Sequence, residues 1–206
     1  MSITPSPPPS RSSTPTGGKL RSDAARNRLK VLDAARAAFS ESGRDAQMGD
    51  IARRAGVGVG TVYRHFPTKE SLAEAIVEHR FQQTLDFLRN EVLPDPDPWH
   101  GLARSLEFCG IMQEQDRGYA ETVTAMIGGS TFDAAAIAEL NELTDTVLKR
   151  AQAEGSVRED LTVADVSPLY IGLCHVVQAG VTDWRRYLGI ILDGLRPRRC
   201  ADCSGG

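Results

Sequence analysis

An all-α fold of about nine helices is the architecture this 206-residue chain predicts, and three observations predict it. From Asp23 almost to the end, apolar residues recur at three- and four-residue spacing, as the buried stripe of a helix requires. No segment of useful length alternates apolar and polar residues as a half-buried strand does. Glycines and prolines punctuate the pattern at Gly43, Gly56, Pro67, Gly155 and Gly180, where helices are expected to stop.

The first 22 residues, rich in Pro, Ser, Thr and Gly, have little to bury and read as a disordered arm. A first helix carries Leu29, Leu32, Ala35 and Phe39 on one face and ends near Gly43. A short second helix places Met48, Ile51, Ala52 and Ala55 together, and Gly56 stops it. A third begins near Gly58, carries Val59, Val62, Tyr63 and Phe66, and ends at Pro67. Thr68 can cap a long fourth helix running to about Leu93. The run Pro94-Asp95-Pro96-Asp97-Pro98 then breaks the pattern, with Asp97 and Pro98 suited to the N-cap and first turn of the next helix. Further helices are expected at about 98–116, 119–127, 133–154, 163–179 and 182–195, followed by a loose tail from 197 to 206. The resulting division is an arm at 1–22, a small three-helix unit at 23–70, and a larger helical unit at 71–196.

Composition narrows the function. The 41% apolar and 25% charged fractions are those of an ordinary globular chain. No stretch approaches the roughly 18–20 apolar residues of a membrane span, and the N-terminus lacks the apolar core of a secretory signal. A cytoplasmic protein without a membrane partner is expected. Four cysteines, unevenly placed, do not read as a disulfide framework. The formal charge of −3 conceals an asymmetry. Residues 1–70 hold 12 basic and 6 acidic side chains, net +6, whereas residues 71–206 hold 12 and 21, net −9. A basic module on an acidic body suits a phosphate-binding head joined to a part that does not touch nucleic acid.

The stretch Met48 to Leu72, MGDIARRAGVGVGTVYRHFPTKESL, reads on physical grounds as helix-turn-helix. Ala52 and Ala55 are small where two backbones must approach, and Val57 and Val62 fill the space beneath. The outer face of the second helix offers Thr61, Tyr63, Arg64 and His65, all able to hydrogen-bond to phosphate or to a base edge. Lys69 stands in the first turn of the following helix, where free backbone N–H groups also favour phosphate. Taken alone, Tyr63 and Phe66 would also serve as core aromatics of a small bundle, and His65 as a plain surface histidine.

This stretch resembles the TetR/AcrR, or tetracycline-repressor-like, family of transcriptional regulators. The resemblance lies in Ile51-Ala52, Ala55-Gly56-Val57, Gly60-Thr61-Val62-Tyr63, His65-Phe66 and Lys69-Glu70-Ser71-Leu72. It implies that Tyr63, His65 and Lys69 grip the DNA backbone. Thr61 would lie at the groove floor, Val59 and Gly60 would face bases, and Arg64 would be the best long donor nearby. Gln47 enters the second helix where the family often has Thr, and Gly58 replaces a frequent Ser or Thr cap. Because Val59 and Gly60 cannot form side-chain hydrogen bonds, readout would lean on Thr61, Arg64 and DNA shape.

The resemblance assigns two tasks to the remaining helices: dimerisation and the binding of a small effector. Val166, Tyr170, Leu173, Val177, Trp184, Leu188, Ile191 and Leu192 are the expected interface of a homodimer on a palindromic double-stranded operator. Phe81, Leu85, Phe108, Cys109, Met112, Met126, Leu143, Cys174 and His175 are the candidate pocket, whose Leu, Phe and Met suggest a hydrophobic or aromatic effector. These apolar residues would equally form ordinary core, and His175 could be a satisfied core histidine.

The resemblance favours a repressor released by its effector. Cys200-Ala201-Asp202-Cys203 raises a metal- or redox-responsive alternative, although two thiolates fall short of a four-ligand zinc site. No H-E-x-x-H, G-x-S-x-G, Walker or dinucleotide motif is present, and Glu139, Glu142 and Asp145 read as solvated helix faces. Neither catalysis nor a cofactor is expected, and no metal site is assigned.

Overall fold

In a computed structural model, residues 17–127, 133–181 and 183–197 are described, with side chains from residue 22 onward. They form eight α-helices and no strand: α1 (Gly17–Ser42), α2 (Met48–Ala55), α3 (Val59–His65), α4 (Lys69–Phe87), α5 (Pro98–Ile127), α6 (Ala134–Ala153), α7 (Val163–Gln178) and α8 (Trp184–Leu195). A π-helical turn over Leu88–Val92, in which Leu93 N–H donates to Leu88 C=O, closes α4. Helix α1 begins inside the stretch read as arm. Positions 1–16, the tail from 198, and with it Cys200 and Cys203, lie outside the described residues.

Several helix starts follow from side-chain caps. Thr68 Oγ1 accepts from Ser71 N–H while Ser71 Oγ accepts from Thr68 N–H, so two otherwise orphaned donors are satisfied at the start of α4. Thr162 and Asp165 form the corresponding capping box of α7. Asp97 accepts from His100 N–H at the head of α5, the cap the sequence predicts there.

Two of the expected helices, at about 98–116 and 119–127, are one. Helix α5 runs unbroken through Gly118. A glycine in a helix interior costs only about 1 kcal/mol relative to alanine. Burial of Tyr119 and Val123 just beyond it outweighs that.

Two clusters of buried residues share α5. The first joins α1 to α4 around Leu32, Phe39, Ile51, Val62, Leu72 and Ile76, and takes Tyr119 and Val123 from α5. Leu29, expected on this face, is exposed instead, because Val31 continues the inner stripe with Leu32, Ala35 and Phe39. The second cluster gathers Leu102 and Leu106 of α5 with Leu148, Leu173, Trp184 and Leu195 of α6, α7 and α8. No helix among the described residues is long and apolar enough to cross a membrane.

Candidate nucleic-acid interface and internal cavity

Helix α2 ends on Gly56, whose φ of +67° is a left-handed conformation that glycine adopts without a Cβ penalty. Gly56 N–H donates to Arg53 C=O and Val57 N–H to Ala52 C=O, which closes the helix end and turns the chain sharply into α3. Val62 and Phe66 anchor α3 in the core, with Val62 fully buried. The opposite face of the same short helix is presented to solvent: Val59 is 49% and Tyr63 50% exposed, and Gly60, Arg64 and His65 are exposed beside them. Burying an exposed valine and tyrosine is favourable, so such a face has a driving force to meet a partner.

The other expected contact residues surround this face unevenly. Thr61 is half-buried. Gln47 occupies the N-cap of α2 without capping it, and its Nε2 donates to Asp45 C=O at 2.8 Å. Lys69 turns back, with Nζ donating to Arg44 C=O at 2.8 Å. Arg44 in turn donates to Ala125 C=O at the end of α5, so the base of α4 is tied to the body. Arg53 pairs with Asp50, and Arg54 with Glu41, whereas among the described residues no ion pair engages Arg64.

Two adjoining cavities of about 400 and 310 Å³ lie among α4, α5, α6 and α7, sharing Phe81, Thr84, Cys109, Leu140, Tyr170 and Ile171. Phe108 lines the smaller one, and Met112 and Cys174 the larger. Burial pushes the Cys109, Cys174 and Tyr170 pKa values up, so all three stay neutral. Tyr170 donates its hydroxyl proton to Ser105 Oγ, which itself donates to Leu102 C=O.

Four expected lining residues are elsewhere. Leu85 is fully buried and lines neither cavity, and Leu143 packs against the body core. Met126 packs against the core of the head, because α5 carries it past the cavity. His175 is exposed, with Nδ1 bonded to Ile171 C=O one turn back.

The expected dimer residues also need correction. Val166, Leu173, Val177, Trp184, Leu188 and Ile191 are buried within the chain's own core. Tyr170 lines both cavities, and Leu192 packs partly against that core. Ile171 of α7, which also borders both cavities, and Ile190 of α8 are 59% and 61% exposed, with Val181 just beyond α7. Helices that are apolar on more than one face hide this distinction from the sequence.

One residue that sequence reasoning passed over stands out. Asp116 of α5 is buried and accepts from Arg36 Nη2 of α1 at 2.9 Å and from Arg80 Nη2 of α4. Tyr119 adjoins the pair, and its pKa rises to about 12, first through burial and then through Asp116. The signal was present: Asp116 falls in the apolar register of Leu102, Leu106, Cys109, Tyr119 and Val123.

A short helix seated on a capped turn, with a buried inner face and an exposed hydrogen-bonding outer face, defines a helix-turn-helix protein of the DNA-binding kind. Comparison with known proteins agrees. Residues 31–76 match the model of bacterial regulatory proteins of the tetR family, and residues 97–197 match the C-terminal domain of SbtR-like transcriptional regulators. The HTH-type transcriptional repressor KstR of Rhodococcus jostii is 32% identical over 151 residues, covering 71% of this chain and 70% of that protein. The crystal structure of the TetR transcriptional regulator SCO0520 from Streptomyces coelicolor superposes with a TM-score of 0.65 at 30% identity, over 84% of this chain and 99% of that one. A TetR regulatory protein from Mycobacterium vanbaalenii gives a TM-score of 0.63 at 33% identity, over 86% and 99%. The chain belongs to the TetR family and is a DNA-binding transcriptional regulator.

Proposed function

We propose that the chain acts as a homodimeric repressor that reads a palindromic operator with α3 and is released by a small, largely apolar effector held among α4, α5, α6 and α7. The exposed face of α3 carries the reading. Its Tyr63 and His65 are the proposed phosphate contacts, joined by Lys69 once it leaves the Arg44 carbonyl, and by Gln47 at the head of α2. Val59, Gly60, Thr61 and Arg64 are proposed to meet base edges; an Arg–guanine pair is worth about 1–3 kcal/mol of discrimination. The outer faces of α7 and α8, with Ile190 and Leu192, support the dimer, and the paired cavities support the effector. Repression is supported by the similarity to the transcriptional repressor KstR.

Selection of bound DNA from a random library tests the first half. A palindromic consensus with half-sites about one helical turn apart, and an affinity that falls steeply with salt, is expected. A non-palindromic consensus, or an affinity flat between low and moderate salt, overturns it. Sedimentation at micromolar concentration tests the dimer, which a strictly monomeric species would refute.

A further inference from the structure

At one end of the larger cavity, two guanidiniums share one carboxylate. Arg36 and Arg80 both donate to Asp116, and all three side chains are largely buried. The nearest further acid, Asp33, reaches Arg36 at 3.7 Å from the solvent side and is exposed. The buried group therefore carries surplus positive charge, and Arg36 Nε has no hydrogen-bond partner among the described residues. Arg80 and Asp116 are the charged members of the cavity wall among the described residues.

The donors of Arg80 are modestly used. Nη1 reaches the Gln83 amide oxygen at 3.1 Å and the Met112 thioether at 3.0 Å, a weak acceptor, and Nε reaches the Tyr119 hydroxyl at 3.5 Å. From this end the cavity continues along Phe81 and Cys109 toward Phe108, which stacks on Phe87 with ring centres 4.1 Å apart.

We infer that the cavity takes an amphipathic organic anion, its apolar body among α4, α5, α6 and α7 and a single carboxylate head on the Arg80 guanidinium in place of Asp116. The inference rests on reading this cavity as the effector site. A carboxylate offers two oxygens to the guanidinium fork, a geometry neither a thioether nor an amide supplies. Before binding, two cations face one anion; afterwards each guanidinium has its own carboxylate, Asp116 remaining with Arg36. A cationic head would instead face two guanidiniums, and a neutral molecule would leave the group intact. The exchange also carries the signal. Asp116 ties α4 to α1 through α5, so a ligand that releases Arg80 has different affinities for the tied and untied states, as regulation requires.

Calorimetry on the full chain, with octanoate against octanamide and 2-naphthoate against 2-naphthamide, tests the inference. The parent protein is expected to prefer at least one acid over its amide by about tenfold or more, as a charge-assisted bond would give. R80Q is expected to bring the pair within about twofold. D116N, which removes the internal competitor, is expected to raise acid affinity several-fold, whereas a merely structural role would lower it in both variants. The opposite sign of D116N keeps the test decisive even if R80Q does not fold. Equal binding of acid and amide, preference surviving in R80Q, loss of acid binding in D116N, or no binding of any probe overturns the anion site. An amide that binds and weakens operator binding as well as its acid would remove the anion site while leaving the effector reading. A bound acid that leaves operator affinity unchanged would remove the effector reading itself.

Discussion

The head and the body bury their interiors differently. From α1 through α4 the most deeply buried residues are apolar, although Arg36 and Arg80 reach Asp116 with largely buried side chains; among the described residues the most deeply buried polar or charged ones, Ser105, Asp116 and Thr144, lie on α5 or α6. The head keeps its hydrogen-bonding groups outside, on Tyr63, Arg64 and His65. The body turns them inward, onto the Ser105–Tyr170 bond and the Arg80–Asp116 pair. A helix that must match a groove needs a firmly packed support, and an apolar interior supplies it. A cavity that selects a small molecule needs a few placed polar groups in an apolar wall. Helix α5 belongs to both regions, with Leu102 and Leu106 in one core and Tyr119 and Val123 in the other.

The largest expected effect tests whether this shared helix makes the two cores one cooperative unit. Phe39→Ala in the head should cost about 3–5 kcal/mol and Leu173→Ala in the body about 2–5 kcal/mol, since both side chains are buried almost completely. Each should lower one common thermal transition followed by circular dichroism. Two separate transitions, only one of them moved by Phe39→Ala, would show that head and body melt independently. A smaller loss, about 1–3 kcal/mol, is expected from Gly110→Ala on α5. An added Cβ there runs into the Trp184 ring, which packs on that glycine and donates to Glu114 Oε1 at 3.2 Å. An unchanged melting temperature would mean that α8 can slide to make room.

The outward chemistry of the head is tested by Arg64→Ala, expected to weaken operator binding by about 1–3 kcal/mol and to relax preference at one base pair per half-site. Tyr63→Phe should weaken binding more evenly across sequences, as loss of a phosphate contact does. Competition against single-base operator variants separates the two patterns. Equal losses on every variant for Arg64→Ala would reassign it to the backbone.

The same contrast explains what the sequence could and could not disclose. The head was legible because its determinants are local: Gly56 at the turn, Val62 and Phe66 as anchors, and Thr68 with Ser71 as cap all lie within one short stretch. The body was legible as helices but not as surfaces. Val166, Leu173 and Ile191 form so regular an apolar stripe that they read as an interface, yet that regularity is what their own core requires. Ile190, one residue from Ile191, is the one left exposed. The Arg36–Asp116–Arg80 group was out of reach for another reason. Its members come from three helices and meet only after folding, so Asp116 signals itself merely as a charge in an apolar register.

The smallest expected effect lies at the seam between the regions. His79, on α4, has its pKa lowered from 6.5, first by burial and then by the nearby Arg28, with Arg80 and Arg36 adding and Asp33 opposing. The folded state therefore resists a proton that the unfolded chain accepts at its ordinary value. Above pH 6.5 both states hold the neutral ring and the contribution is constant. As pH falls through 6.5 toward the lowered folded value, unfolding takes up a proton and stability declines. Denaturant titrations between pH 7.5 and 5 should show this decline in the parent protein and a shallower one in His79→Gln. Because the shift comes first from burial and then from arginines of α1 and of α4 itself, an identical slope in both proteins would mean that the ring is hydrated and out of reach of these cations in solution, and that the seam is looser than the packing of α1 on α4 implies.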